Sequence, residues 1–140
     1  ENLLKKYNYI DVFITDSYPK ILEVLSISDV FVSSSLWEGL PRAHLESLLS
    51  GCVVISTNIG GSNEIIINEY NGILVEPRSV SELVKAVDKV LNSDSLVDTF
   101  KENGYKVLKK KFDIKINTRK MEKLYLSLYN NEWKLTFFKR

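Results

Sequence analysis

Cysteine, histidine and methionine each occur once in this chain of 140 residues, and proline only three times. A lone cysteine, Cys52, rules out an internal disulfide, and with no Cys/His cluster there is no structural zinc site. The same scarcity points to a reducing compartment, so the protein is expected in the cytoplasm. Net charge is only +1, and bulk charge therefore does not argue for nucleic acid as a partner. No apolar run approaches the ~20 residues that span a bilayer, and no signal peptide is visible. The chain begins with Glu1 rather than Met, as a piece of a longer protein would. No G-x-G-x-x-G follows a first strand, which argues against a dinucleotide-dependent oxidoreductase. What is present is ordinary: 44% hydrophobic and 26% charged residues, the balance of a globular protein long enough for one domain with a core.

The apolar residues fall into short strand-like runs separated by helical patterns. Strands are expected at Tyr9 to Thr15, at "DVFVSSS", at "CVVIST" and at "NGILVEP". The third is continuously apolar, as a strand buried on both faces would be. "YPKILEVLSISD" fits a short helix with Pro19 near its start. "PRAHLESLLSG" fits another, with Pro41 in its first turn and Gly51 just past its end. "IGGSNEII" reads as a loop running into a short helical piece. Ser79 and Glu82 have capping-box spacing and open a helix with the apolar stripe Leu83, Val84, Val87, Val90 and Leu91. Asp94 is the expected cap of a helix from about Ser95 to Lys111, and a last helix runs from about Ile114 to Tyr129. Strands alternating with helices predict an α/β fold with a parallel sheet and right-handed crossovers.

Two glutamates, Glu38 and Glu46, have seven residues between them in "SSSLWEGLPRAHLESLLSGCVVIST". Ligands of an open α/β sheet sit outside the carboxyl ends of its strands. Glu38 follows the second strand and so lies on that rim. The next helix, expected to begin near Leu40, offers free amides and the positive end of its dipole to an anion. Pro41 has no N–H, so Leu40, Arg42 and Ala43 must supply the donors. Glu46 lies over a turn further along. A diphosphate fits such a seat, and carboxylates on either side of it are strong acceptors for sugar hydroxyls. The pattern describes a nucleotide diphospho-sugar.

"EGLPRAHLE" resembles the E-x7-E signature of retaining glycosyltransferases with the GT-B fold, family 4. The segment from "SDVFVSSS" to "NGILVEP", with Gly60-Gly61, Glu64 and Asn71-Gly72, resembles that family's donor-binding segment in order and spacing, and the terminal helices resemble its ending. The resemblance implies a Rossmann-like parallel sheet with flanking helices, forming part of a C-terminal donor-binding domain over residues 1–130, followed by a tail over 131–140. It implies Glu38 as the catalytic residue, touching hydroxyls of the transferred sugar near the anomeric centre. It places Glu46 on the ribose hydroxyls and Leu40 to Ala43 at the distal phosphate, with Gly39, Leu40, Arg42 and Ala43 in the donor site. It implies transfer with retention of configuration, with no cofactor and without a metal, and no Asp-x-Asp motif is present. The implied partners are a nucleotide-sugar donor, a glycan or glycolipid acceptor, and an N-terminal acceptor domain missing from this chain. The setting would be bacterial surface polysaccharide or glycolipid synthesis, in the cytoplasm or at the inner face of the membrane.

Three departures qualify the likeness. Many relatives have Gly where Pro41 stands and Pro where Val53 stands. The family's upstream basic pair, which grips the diphosphate, would precede this chain, so the chain alone is expected to be inactive. Other readings stay open. The two glutamates could be a helix N-terminal charge and a solvated side chain. The protein could also be a nucleotide-sugar-binding fragment without turnover. His44 suits packing or a surface rather than catalysis. Arg42 suits phosphate or simple exposure, and Gly60-Gly61 a turn or the lining of the donor cleft. Cys52 suits a small buried apolar site, and Lys106 with Lys109 to Lys111 a solvated face. The tail residues Trp133, Phe137 and Phe138, mixed with Lys134, Lys139 and Arg140, suit docking onto the missing domain or peripheral membrane contact.

Overall fold

The computed structural model describes residues 17–129; the expected first strand and the 131–140 tail lie outside them. In order come α1 (Tyr18–Ser26), β1 (Val30–Ser33), α2 (Arg42–Leu49), β2 (Val53–Thr57), α3 (Gly60–Ile65), β3 (Gly72–Val75), α4 (Val80–Leu91), α5 (Asp94–Val107), a π-helical turn (Leu108–Phe112) and α6 (Ile114–Tyr129). The three strands form one parallel sheet in the order β1-β2-β3, with Ile55 opposite Val32 on one side and Ile73 on the other. This is the expected α/β sheet with flanking helices.

β2 is central and buried along its whole length, which is why its sequence is apolar without alternation. Its odd and even residues serve opposite layers. Val53 and Ile55 join Ile73, Val75, Ala86, Val90 and Phe100 beneath α4 and α5. Val54 joins Leu48, Ile65, Ile66 and Leu108 beneath α2, α3 and the π-helical turn. Each such fully buried Val or Ile is worth about 1.5–3 kcal/mol against exposure.

The chain stops fix where the loops fall. α2 ends in a Schellman arrangement: Gly51 has φ +85°, its N–H donates to the Leu48 carbonyl, and the Cys52 N–H donates to Ser47. Only glycine takes that backbone without strain. Asn71 is fully buried. Its side chain accepts from the Ile67 N–H and donates to the Ile65 carbonyl, so it closes α3 before Gly72 enters β3. Cys52 is buried as expected, and its thiol donates to the Leu25 and Ser28 carbonyls, tying α1 to the sheet.

Several helix expectations need correction. Pro41 is the N-cap of α2 and lies outside its first turn, so the helix begins at Arg42, later than Leu40. The Ser79–Glu82 capping box does not form: Glu82 accepts instead from the Glu76 N–H, and Ser79 makes no cap bond. In α4 Val84 and Leu91 are exposed, and Ala86 takes their place in the buried face with Leu83, Val87 and Val90. Ser93, not Asp94, caps α5, accepting from the Leu96 N–H. Among the described residues no helix is long and apolar enough to cross a membrane.

Candidate functional site

The loop from the end of β1 to the start of α2 carries the first glutamate, and it is held from three directions. Thr57, the last residue of β2, donates its hydroxyl to the Ser35 carbonyl. The Ser35 hydroxyl donates to Glu38 Oε1 at 2.9 Å, and Ser33 and Ser35 hydroxyls meet at 3.4 Å. A small hydroxyl-lined bracket at the strand ends therefore aims the carboxylate. From the third side comes α3. A Cβ on Gly61 would stand 1.7 Å from the Gly39 carbonyl oxygen and 3.0 Å from Pro41 Cδ. Gly61 thus touches the Gly39 backbone, and no side chain larger than hydrogen fits at position 61. Gly61 is buried. Neither reading open for Gly60-Gly61 describes this: the pair opens α3, and Gly61 packs against the glutamate loop.

At the helix start, the amides of Arg42 and Ala43 meet no acceptor among the described residues, while the His44 N–H already donates to the Pro41 carbonyl at 3.1 Å. The first turn thus keeps two adjacent free donors next to the rim. Leu40 is half exposed beside them. One turn along, Glu46 is largely buried. Its Oε1 accepts from the Tyr18 hydroxyl at 3.0 Å and lies 3.5 Å from Arg42 Nη2, four residues back on the same helix face. Arg42 itself is well exposed, so this ion pair contributes little to stability.

Glu38, Gly39, Leu40, Arg42 and Ala43 therefore form one continuous lip, with Glu46 on the flank of the same helix. A cleft of about 350 Å³ opens on that flank, lined by Glu46 with Leu45, Leu49, Leu108 and Phe112 among its walls. Residues 38–43 do not line it. His44 sits behind the lip, buried, with both ring nitrogens lacking a hydrogen-bond partner. Its ring meets Phe31 edge-on at 5.8 Å. Burial pushes the imidazole below its ordinary value, and the Glu38 charge pulls the other way. Of the packing and surface roles left open for it, the structure gives His44 the packed one. Glu64 is exposed on α3. Among the described residues no three His, Cys, Asp or Glu side chains gather into a metal site.

The sequence did not reveal Tyr18, which reaches Glu46 from 28 residues away, or Thr57. The serine run Ser33 to Ser35 was a visible signal: three hydroxyls beside a rim carboxylate.

The family model described as glycosyl transferases group 1 matches residues 1–107. The UDP-Gal:alpha-D-GlcNAc-diphosphoundecaprenol alpha-1,3-galactosyltransferase of Escherichia coli is 33% identical over 112 residues, which are 80% of this chain and 29% of that protein. A glycosyltransferase from Rickettsia africae matches with a TM-score of 0.81 at 30% identity, over 93% of this chain and 35% of the other. The C-terminal domain of a group 1 glycosyl transferase from Francisella tularensis matches with a TM-score of 0.68 at 30% identity, over 74% of this chain and 53% of that domain. The chain thus spans about three-tenths of the length of such curated relatives. Fold, motif order and family model converge: the chain belongs to the group 1 glycosyl transferases and forms part of their C-terminal domain.

Proposed function

We propose that this chain is the donor-binding half of a retaining, family 4 glycosyltransferase that moves a sugar from a uridine diphospho-sugar to a glycan or lipid-linked glycan. One observation carries the reading: a rim carboxylate held by Ser35, then two free helix amides, then a second carboxylate one turn on. The diphosphate sits on the amides of Arg42 and Ala43, at the positive end of α2. As the bond from the anomeric carbon to the diphosphate breaks, negative charge grows on the leaving oxygen, and these preorganised donors meet it. Glu38 accepts from hydroxyls of the sugar being transferred. Glu46 accepts from the ribose. Gly39 and Leu40 form the wall between them. No metal or cofactor is assigned a part. The choice of uridine and of a lipid-linked acceptor leans on the name of the Escherichia coli relative. With such an acceptor the enzyme works at the inner face of the membrane. Transfer is expected to need the full-length enzyme, because this segment matches about three-tenths of such a relative and the reaction requires donor and acceptor to be aligned.

The test uses the full-length enzyme, a UDP-sugar and its acceptor. Glu38→Gln is expected to lower kcat by about 10²-fold while leaving the Kd for UDP within about threefold. Equal losses in both would remove Glu38 from the reacting sugar. The coupling constant of the anomeric proton in the product reports stereochemistry, and an inverted product would contradict retention.

A further inference from the structure

The donor reading leaves one contact without a role: the hydroxyl of Tyr18 on Glu46. Tyr18 opens α1, and its side chain is half exposed. Pro19, the next residue, fixes the backbone of that first turn. The far end of α1 is already anchored, by buried Leu25 and by the Cys52 thiol on the Leu25 carbonyl. Packing of α1 therefore does not need an exposed ring at its start to reach a carboxylate.

The geometry at Glu46 is directional. Tyr18 Oη and Arg42 Nη2 both approach the same carboxylate oxygen, Oε1, at 3.0 and 3.5 Å. No hydrogen bond to Oε2 is present among the described residues. The Tyr18 hydrogen bond, with the Arg42 ion pair beside it on the same oxygen, restricts the carboxylate's orientation. That leaves the second oxygen with its lone pairs free for an outside donor. Glutamate has three side-chain torsions, so an unheld Glu46 would lose that freedom on binding ribose.

We propose that Tyr18 is a positioning residue: its hydroxyl pins Glu46 Oε1 so that Oε2 faces the adjacent 2′ and 3′ hydroxyls of the donor's ribose. This rests on the ribose role of Glu46 given above. Tyr18 acts through Glu46 and touches neither sugar nor phosphate in this account. Arg42 assists from the helix itself, but its exposure makes it the weaker of the two holds.

The experiment is calorimetric titration of full-length enzyme with UDP and with 2′,3′-dideoxyuridine diphosphate, using wild type, Tyr18→Phe, Glu46→Ala and the double variant. Tyr18→Phe keeps the ring and removes only the hydroxyl. It is expected to weaken UDP about three- to tenfold, the effect of one lost hydrogen bond, and to leave the dideoxy ligand unchanged. In the Glu46→Ala background the same substitution should change neither ligand. Unchanged dideoxy affinity also certifies that the variant is folded. If Tyr18→Phe weakens both ligands equally, or neither, or tightens UDP because the phenol competes with ribose, the proposal is overturned. If Glu46→Ala fails to discriminate the two ligands, the ribose reading falls and the proposal with it. If Glu46→Ala discriminates and Tyr18→Phe does not, the proposal alone falls.

Discussion

Gly61 leaves the least room for change in the site. An added Cβ would overlap the Gly39 carbonyl, so either the glutamate loop or α3 has to move. Gly61→Ala is expected to cost about 1–3 kcal/mol of stability, as overpacking does, and to weaken UDP by displacing the first turn of α2. Thermal unfolding and UDP titration of the same sample check both parts. Wild-type values for both would mean the loop is not held by this contact. His44 gives a prediction in pH. Its imidazole is held below the ordinary 6.5 in the fold, so below that value the unfolded chain takes up a proton that the folded chain refuses. Stability therefore falls as pH drops from about 6.5 toward the depressed value. His44→Leu removes the titrating group and its two unpartnered nitrogens. It should flatten that acid slope, and urea unfolding at pH 7.5 and 5.5 measures it. An unchanged slope would assign the acid sensitivity elsewhere. For His44 the sequence argued against catalysis but left packing and surface open, and the structure settles on packing. Tyr18 was not legible, because nothing local to position 18 announces a partner 28 residues on.

At the scale of elements, legibility followed burial. β2 was plain because continuous apolar sequence has few other uses, and Gly51 because its left-handed backbone needs glycine. The failures lie at surface helix ends. Glu82 found the Glu76 amide instead of its own helix start. Ser93 preceded Asp94 as an equally good cap, and sequence spacing cannot choose between them. The π-helical turn was invisible because it is a packing solution. It keeps Leu108 buried while Lys109, Lys110 and Lys111 stay in water. α6 is different again: Asp113 caps it through the Lys115 and Ile116 amides, yet it buries none of its own residues. In the isolated chain its amides are expected to exchange with solvent far faster than those of β2, as hydrogen–deuterium exchange would report. Protection equal to that of β2 would mean that α6 is packed in a way these contacts do not show.

For the whole molecule, the distribution of charge and free donors matters more than the fold, which many unrelated activities share. Net charge is near zero, so in the proposed reading donor capture depends on the lip of residues 38–43 and its flank rather than on a general field. The fold and the order of the two glutamates could be taken from sequence. Their roles rest on which groups each can reach, and that depends on loops brought together from separate strands. The central claim is that Glu38 and Glu46 read opposite ends of one donor across the start of α2. Its most direct test is the affinity of full-length wild type and Glu46→Ala for UDP and for 2′,3′-dideoxyuridine diphosphate. A carboxylate accepting from ribose is worth ~1.5–3 kcal/mol, so the substitution should weaken UDP about tenfold to a hundredfold and the dideoxy ligand hardly at all. Equal weakening of both ligands, or of neither, would contradict the account.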